Sequence, residues 1–131
     1  MKTIRTLSLI AAIAVACAPP STTAGGTKHD ANLITKEEIA GAHVSNAYEA
    51  INALRPAMLR YRGKTTISGS DTGYPRVYLD RQLYGDIDQL KNLDVGSIRS
   101  IRYYNTAEAA SKFGLGNASG AIEVITDARP N

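Results

Sequence analysis

Apolar residues in this chain come in short runs, and the spacing within each run predicts an element. Thr35 is followed three residues later by Glu38, between Ile34 and Ile39. In that arrangement the hydroxyl and the carboxylate each accept a backbone N–H that the first helical turn leaves without a partner, while the two isoleucines clamp the entry of the chain. A short helix is expected from Lys36 to about Gly41. Asn46 and Glu49 repeat the spacing, and Ala47, Ile51, Leu54 and Met58 recur along one helical face. Pro56 disfavours helical geometry at Arg55, so this second helix should end there with a change of direction.

Further on the period drops to two. Leu59 to Lys64 alternates, with Leu59 and Tyr61 on one side and Arg60, Arg62 and Lys64 on the other, which predicts an edge strand with a basic outer face. Thr65 to Gly73 reads as a polar loop. Arg76 to Asp80 alternates again, Val77 and Leu79 opposite Tyr78, and Asp80-Arg81 before Gln82–Gly85 predicts a tight strand-turn unit. Asp86 is placed to cap a helix of one or two turns that buries Ile87, Leu90 and Leu93. Ser100 to Tyr104 turns Ile101 and Tyr103 inward and Arg102 outward. Asn105 with Glu108 should cap a helix carrying Ala107, Ala110 and Phe113 on one side. A Gly/Asn/Ser loop from Gly114 to Gly120 then leads into Ala121 to Thr126, the strongest strand pattern in the chain.

Together these elements predict an α+β domain: a small mixed β-sheet with short helices and a C-terminal strand-helix-strand unit. Sequential strands joined by a helix favour parallel pairing across a right-handed connection. In this arrangement Ile101, Tyr103, Ile122 and Val124 would pack against Ile51, Leu54 and Phe113, leaving the arginines outside.

The start of the chain has a different character. Lys2 and Arg5 precede an apolar stretch, Leu7 to Val15, broken only by Ser8, and Ala14-Val15-Ala16-Cys17 follows. Basic, apolar and then small residues is the order of a signal peptide, and the apolar run is about half of the ~20 residues that a membrane-spanning helix needs. Ala14 to Cys17 resembles the bacterial lipobox, with alanine where leucine is most common. That resemblance implies cleavage before Cys17 and a diacylglyceryl group on its sulfur. The alternative is an ordinary signal peptide cut after Ala14-Val15-Ala16, which would leave a free thiol. Several acyl chains anchor stably where one does not, and Ala18 in place of aspartate favours, by the same resemblance, the outer membrane. Residues 1–16 are thus expected to be removed. Residues 17–32, rich in Pro, Ser, Thr and Gly, are expected to act as a tether, and 33–131 as the folded domain.

Charge and chemistry narrow the function. The formal charge of +3 falls to +1 without Lys2 and Arg5, too small for a dedicated nucleic-acid binder. One cysteine allows no internal disulfide. The two histidines are His29, in the expected tether, and His43, between two predicted helices. H-E-x-x-H, G-x-S-x-G and C-x-x-C are absent from the sequence. Gly114, Gly116 and Gly120 follow a helix and enter a strand, the reverse of the order a phosphate loop requires. No enzyme, metal or cofactor is expected.

The remaining pattern resembles the plug domain of TonB-dependent outer-membrane receptors. It is carried by Ile34-Thr35-Lys36-Glu37-Glu38-Ile39, Leu54-Arg55-Pro56, Val77-Tyr78-Leu79-Asp80, Ser97 to Tyr104 with Ala107 to Gly114, and Gly120-Ala121-Ile122-Glu123-Val124-Ile125-Thr126. Arg81 stands where such plugs have a turn glycine, and Arg99 and Arg102 make the following strand more basic than usual. The few residues after Thr126 leave no room for a barrel, so transport by this chain alone is not expected. The resemblance implies a binding or accessory module at the periplasmic face of the outer membrane, contacting a receptor or another envelope protein. Candidate contacts to an anionic partner are Arg60, Arg62, Lys64, Arg76, Arg81 and Arg102. Their alternative role is a solvated basic face that discourages edge-to-edge pairing, and the alternative function is a structural or assembly lipoprotein with no ligand.

The lipobox reading has a direct check. Intact mass spectrometry of the mature protein should show a chain beginning at Cys17 with acyl mass added, and a chain beginning there with an unmodified thiol would sink the reading.

Overall fold

A computed structural model describes residues 30–64 and 72–128. The leader, Cys17, most of the expected tether with His29, and most of the polar loop lie outside the described residues. Five strands, β1 (Leu33–Thr35), β2 (Arg76–Leu79), β3 (Gln82–Gly85), β4 (Ile98–Tyr104) and β5 (Ala121–Thr126), form one sheet in the order β1-β4-β5-β2-β3. Only β2 and β5 run parallel. With the helices α1 (Lys36–Gly41), α2 (Ala47–Leu54) and α3 (Thr106–Phe113), this is a small α+β fold on a mixed sheet.

Local capping sets the helices. The Thr35 hydroxyl accepts from the Glu38 amide while the Glu38 carboxylate accepts from the Thr35 amide, starting α1 at Lys36. Glu38 also pairs with Arg55 at 2.8 Å, tying α1 to the end of α2. Asn46 caps α2 by accepting from the Glu49 amide at 3.0 Å, and Asn105 with Glu108 forms a second capping box on α3. Helix α2 ends at Leu54, two residues before Pro56.

Both faces of the sheet are covered. Ile34, Val77, Ile101, Ile122 and Val124 meet Ile51 of α2 and Leu90 in the main core. On the other face α3 covers Tyr78 and Ala121. Phe113 belongs to this second face and not beside Ile51: its ring stacks on Tyr78 at 3.9 Å. Ala109 is the fully buried residue of α3, whereas Ala107 is exposed.

Strands β4 and β5 are antiparallel, against the parallel pairing expected. A parallel return must carry the chain back along the seven residues of β4, about 23 Å. The eight residues of α3 rise only about 12 Å. The helix and its loop cross one end of the sheet instead, and β5 starts opposite the end of β4, with Ala121 facing Tyr104. The parallel neighbour of β5 is β2, far away in sequence.

Residues 59–64 do not form the expected strand. Pro56 opens a 3-10 turn that runs through Leu59, and Arg60 to Lys64 have no regular structure. Gly63, at φ +89°, interrupts the extended run, and Tyr61 is 56% exposed, not inward. A strand needs a neighbour along its length. Among the described residues, the backbone bond from this run to another segment is that from the Arg62 amide to the Gly73 carbonyl, at 2.7 Å. Asp86 precedes a 3-10 helix, Ile87–Asn92, but its side chain makes no capping bond.

The strand-turn unit is a two-residue hairpin with Asp80 at φ +48° and Arg81 at φ +74°. Both sites lie in the left-handed region that matches strand twist, where a residue other than glycine costs about 1 kcal/mol. The Asp80 carboxylate offsets this by accepting from the amide and hydroxyl of Thr126, at 3.0 and 2.7 Å. At the other end of the sheet, Gly120 has φ +86°, and a Cβ there would lie 2.5 Å from the Tyr103 hydroxyl and 2.6 Å from the Tyr104 carbonyl. Gly120→Val should therefore destabilise the domain by more than about 2 kcal/mol in urea unfolding, well above the average substitution. A change below about 0.5 kcal/mol would show that this approach is not close.

Candidate interaction surface

The pairing register assigns each candidate arginine and lysine to a place on the sheet. One end collects the start of β1, the end of β4 and the starts of β5 and β2, where Leu33 faces Arg102, Tyr104 faces Ala121 and Arg76 faces Ala121. Residues 60–64 lie at this end, because Arg62 bonds to Gly73 just before β2 and its guanidinium sits 4.7 Å above the Tyr103 ring. Arg60, Arg62, Lys64 and Arg76 are thus gathered at one end. Arg81 lies at the opposite end, in the hairpin that docks on Thr126.

Arg102 separates from Arg62 in another way. Tyr103, which Arg62 covers, packs into the main core, and alternation sends Arg102 to the α3 face. There its guanidinium pairs with Asp30 at 3.0 Å. The six residues therefore do not form one continuous face.

Their electrostatic partners differ as well. Among the described residues Lys36, Arg55, Lys91, Arg99, Arg102 and Lys112 each pair with a carboxylate. Arg60, Arg62 and Lys64 have no such partner among the described residues. All three are exposed. The sequence pattern correctly singled them out as cations held at the surface, though it placed them on the wrong kind of backbone.

Two features of the α3 face were not foreseen. Glu123, a charged residue that alternates with Ile122 and Val124 along β5, has no solvent access. Its carboxylate accepts from Lys112 of α3 at 2.6 Å and from the Tyr104 hydroxyl at 3.0 Å, and Lys112 lies 4.2 Å above the Tyr104 ring. Burial opposes the charge on Lys112, but its hydrogen bonds to Glu123 and Tyr104 outweigh that and raise its pKa. The second feature is the engagement of Asp30, expected to be a solvated tether residue. The Asn32 amide, opposed by burial and supported by Arg102, holds the Asp30 carboxyl below the usual aspartate range. The contact is therefore present above the ordinary pKa of aspartate and is lost as pH falls through the lowered value.

A groove of about 720 Å³ opens between β4 and α3, lined by Asp30, Arg102, Tyr104, Glu108 and Ser111 among others. It offers mixed charge, and its one guanidinium is already turned to Asp30. Among the described residues no group of three His, Cys, Asp or Glu could hold a metal ion, and no helix is long and apolar enough to cross a membrane.

Compared with known proteins, the chain matches no family model, no curated protein and no solved structure. The class it defines by its own architecture is a small α+β domain built on a five-stranded mixed sheet.

The buried pair predicts a specific double-mutant result. Lys112→Met should cost about 3 kcal/mol in chemical unfolding, because it removes the cation that faces a carboxylate without solvent access. Adding Glu123→Gln should recover most of that loss, and simple additivity of the two changes would show that the pair is not coupled.

Proposed function

We propose that the mature chain is a non-enzymatic lipoprotein of the outer membrane, anchored through Cys17, whose plug-like domain serves as a binding or accessory module for an outer-membrane receptor or transport system. The observation that carries this reading is spatial. The plug-like segments fall on β1 with the start of α1, on the end of α2, on β2 with its turn, on β4 with α3, and on β5. Four of those strands are consecutive neighbours, β1-β4-β5-β2. Sequence segments far apart along the chain thus form one contiguous unit, as a shared domain pattern would require and scattered matches would not.

A second reading, a structural or assembly lipoprotein that binds no ligand, is favoured by one feature. Several of the basic residues are engaged within the domain itself, as Lys36 and Arg99 are with Asp127 and Arg102 is with Asp30. Affinity purification from outer membranes solubilised in mild detergent, at low and high salt, separates the two. A stoichiometric envelope-protein partner is the expected result. Recovery of the lipoprotein alone at every salt concentration would overturn the accessory role and leave the structural one.

A further inference from the structure

Asn32, just before β1, lies at the same end of the sheet as Arg60, Arg62 and Lys64. The Asn32 carbonyl accepts from the Tyr103 amide at 2.8 Å, and the ring of that same tyrosine carries the Arg62 guanidinium. Asp30 is fastened to Arg102 next to it. The entering chain and the strip Arg60-Tyr61-Arg62-Gly63-Lys64 are therefore linked through Tyr103 at one end of the sheet. Twelve residues lie between Cys17 and Asp30, a link that reaches at most about 45 Å in any conformation.

The strip has the composition of a membrane-surface contact. Three of its five residues are cations with no carboxylate partner among the described residues. Arg62 is steadied by the Tyr103 ring and by the Ala57 carbonyl, at 3.4 Å, leaving Arg60 and Lys64 extended into solvent. Tyr61, 56% exposed, is braced edge-on against Tyr74 at 5.2 Å, presenting an amphipathic ring of the kind that settles among lipid headgroups. Cations near an anionic bilayer bind through headgroup phosphates and the surface potential, which decays within about 8 Å at physiological salt. The link from Cys17 is long enough to let the strip come within that range, where its cations can hold it.

We infer that Arg60, Tyr61, Arg62 and Lys64 dock this end of the domain onto an anionic phospholipid surface, orienting the sheet relative to the membrane while Arg81 and the β3 hairpin point away from it. The orientation rests on the reading of Cys17 as the lipid-bearing residue, whereas the binding chemistry of the strip does not.

The test uses the full chain carrying Cys17→Ser, so that no acyl group contributes, and measures partitioning onto vesicles of phosphatidylcholine alone and of phosphatidylcholine mixed with phosphatidylglycerol. Arg60→Gln/Arg62→Gln/Lys64→Gln should lower partitioning onto the anionic vesicles by about a hundredfold, near fivefold for each cation, with little change on neutral ones. High salt should abolish the difference. Any contribution from the leader is common to both proteins and cancels in the ratio. A thermal melt confirms that the variant is folded, and for a variant that is not, slower tryptic cleavage after Arg60, Arg62 and Lys64 of the parent on anionic than on neutral vesicles serves as the readout. Equal partitioning of folded parent and variant, or equal cleavage on both vesicles, would overturn the inference. So would loss of an acidic protein partner from the variant with vesicle binding unchanged, since the strip would then be a protein-docking site. Failure of the Cys17 reading appears separately, in the intact mass of the mature protein.

Discussion

Four consecutive residues of β5, Ala121 to Val124, are shut away from water, and the rest of the domain is arranged around that constraint. A strand buried on both faces needs a layer on each side of the sheet. Ile122 and Val124 face the main core with α2 and the segment around Leu90, while Ala121 and Glu123 lie under α3 and its aromatic companions. Apolar burial drives the first layer at about 25 cal/mol per Å². The second layer includes a carboxylate, and Lys112 and Tyr104 meet it and offset the cost of its burial.

That need explains the route of the chain after β4. Helix α3 has to lie over β5 to bring Lys112 to Glu123, and it is fastened at its far end as well, where Asn117 accepts from the Tyr78 hydroxyl at 3.0 Å and donates to the Gly114 carbonyl. The chain then re-enters the sheet at Gly120, a position that only glycine fits because Tyr103 and Tyr104 occupy the space of a side chain. The close packing that admits β5 there also brings Tyr103 to the edge of the domain, where Arg62 covers it. The surface proposed to meet the membrane is thus a consequence of how the central strand is covered.

The two ends of the sheet differ in how charge is handled. At the hairpin end, Asp80 is committed to Thr126 and Lys36 and Arg99 converge on Asp127, leaving Arg81 without a carboxylate partner among the described residues. At the end where the chain enters, Arg60, Arg62 and Lys64 remain unmatched among the described residues. Exposed ion pairs contribute little to stability, so this asymmetry has no evident role in holding the domain together and is available for binding.

Features whose partners lie within a few residues could be read from the sequence. Both capping boxes, the stop at Leu54 before Pro56 and the inward set Val77, Leu79, Ile101, Ile122 and Val124 depend on contacts three or four residues apart or on a simple alternation, and each stands where its pattern put it. The surface cations Arg60, Arg62 and Lys64 were legible for the same reason, since charge resists burial whatever the backbone does. Whether residues 59–64 became a strand was not legible, because alternation specifies two sides but cannot supply the neighbouring strand that a ladder needs. Nor could the sequence decide that β5 would run antiparallel to β4, that Phe113 would lie across the sheet from Ile51, that Glu123 would be buried, or that Arg102 would be taken up by Asp30. Each of these depends on pairing between residues remote in sequence, and only the closed tertiary structure, by covering both faces of β5 at once, selects among the pairings that the local patterns leave open.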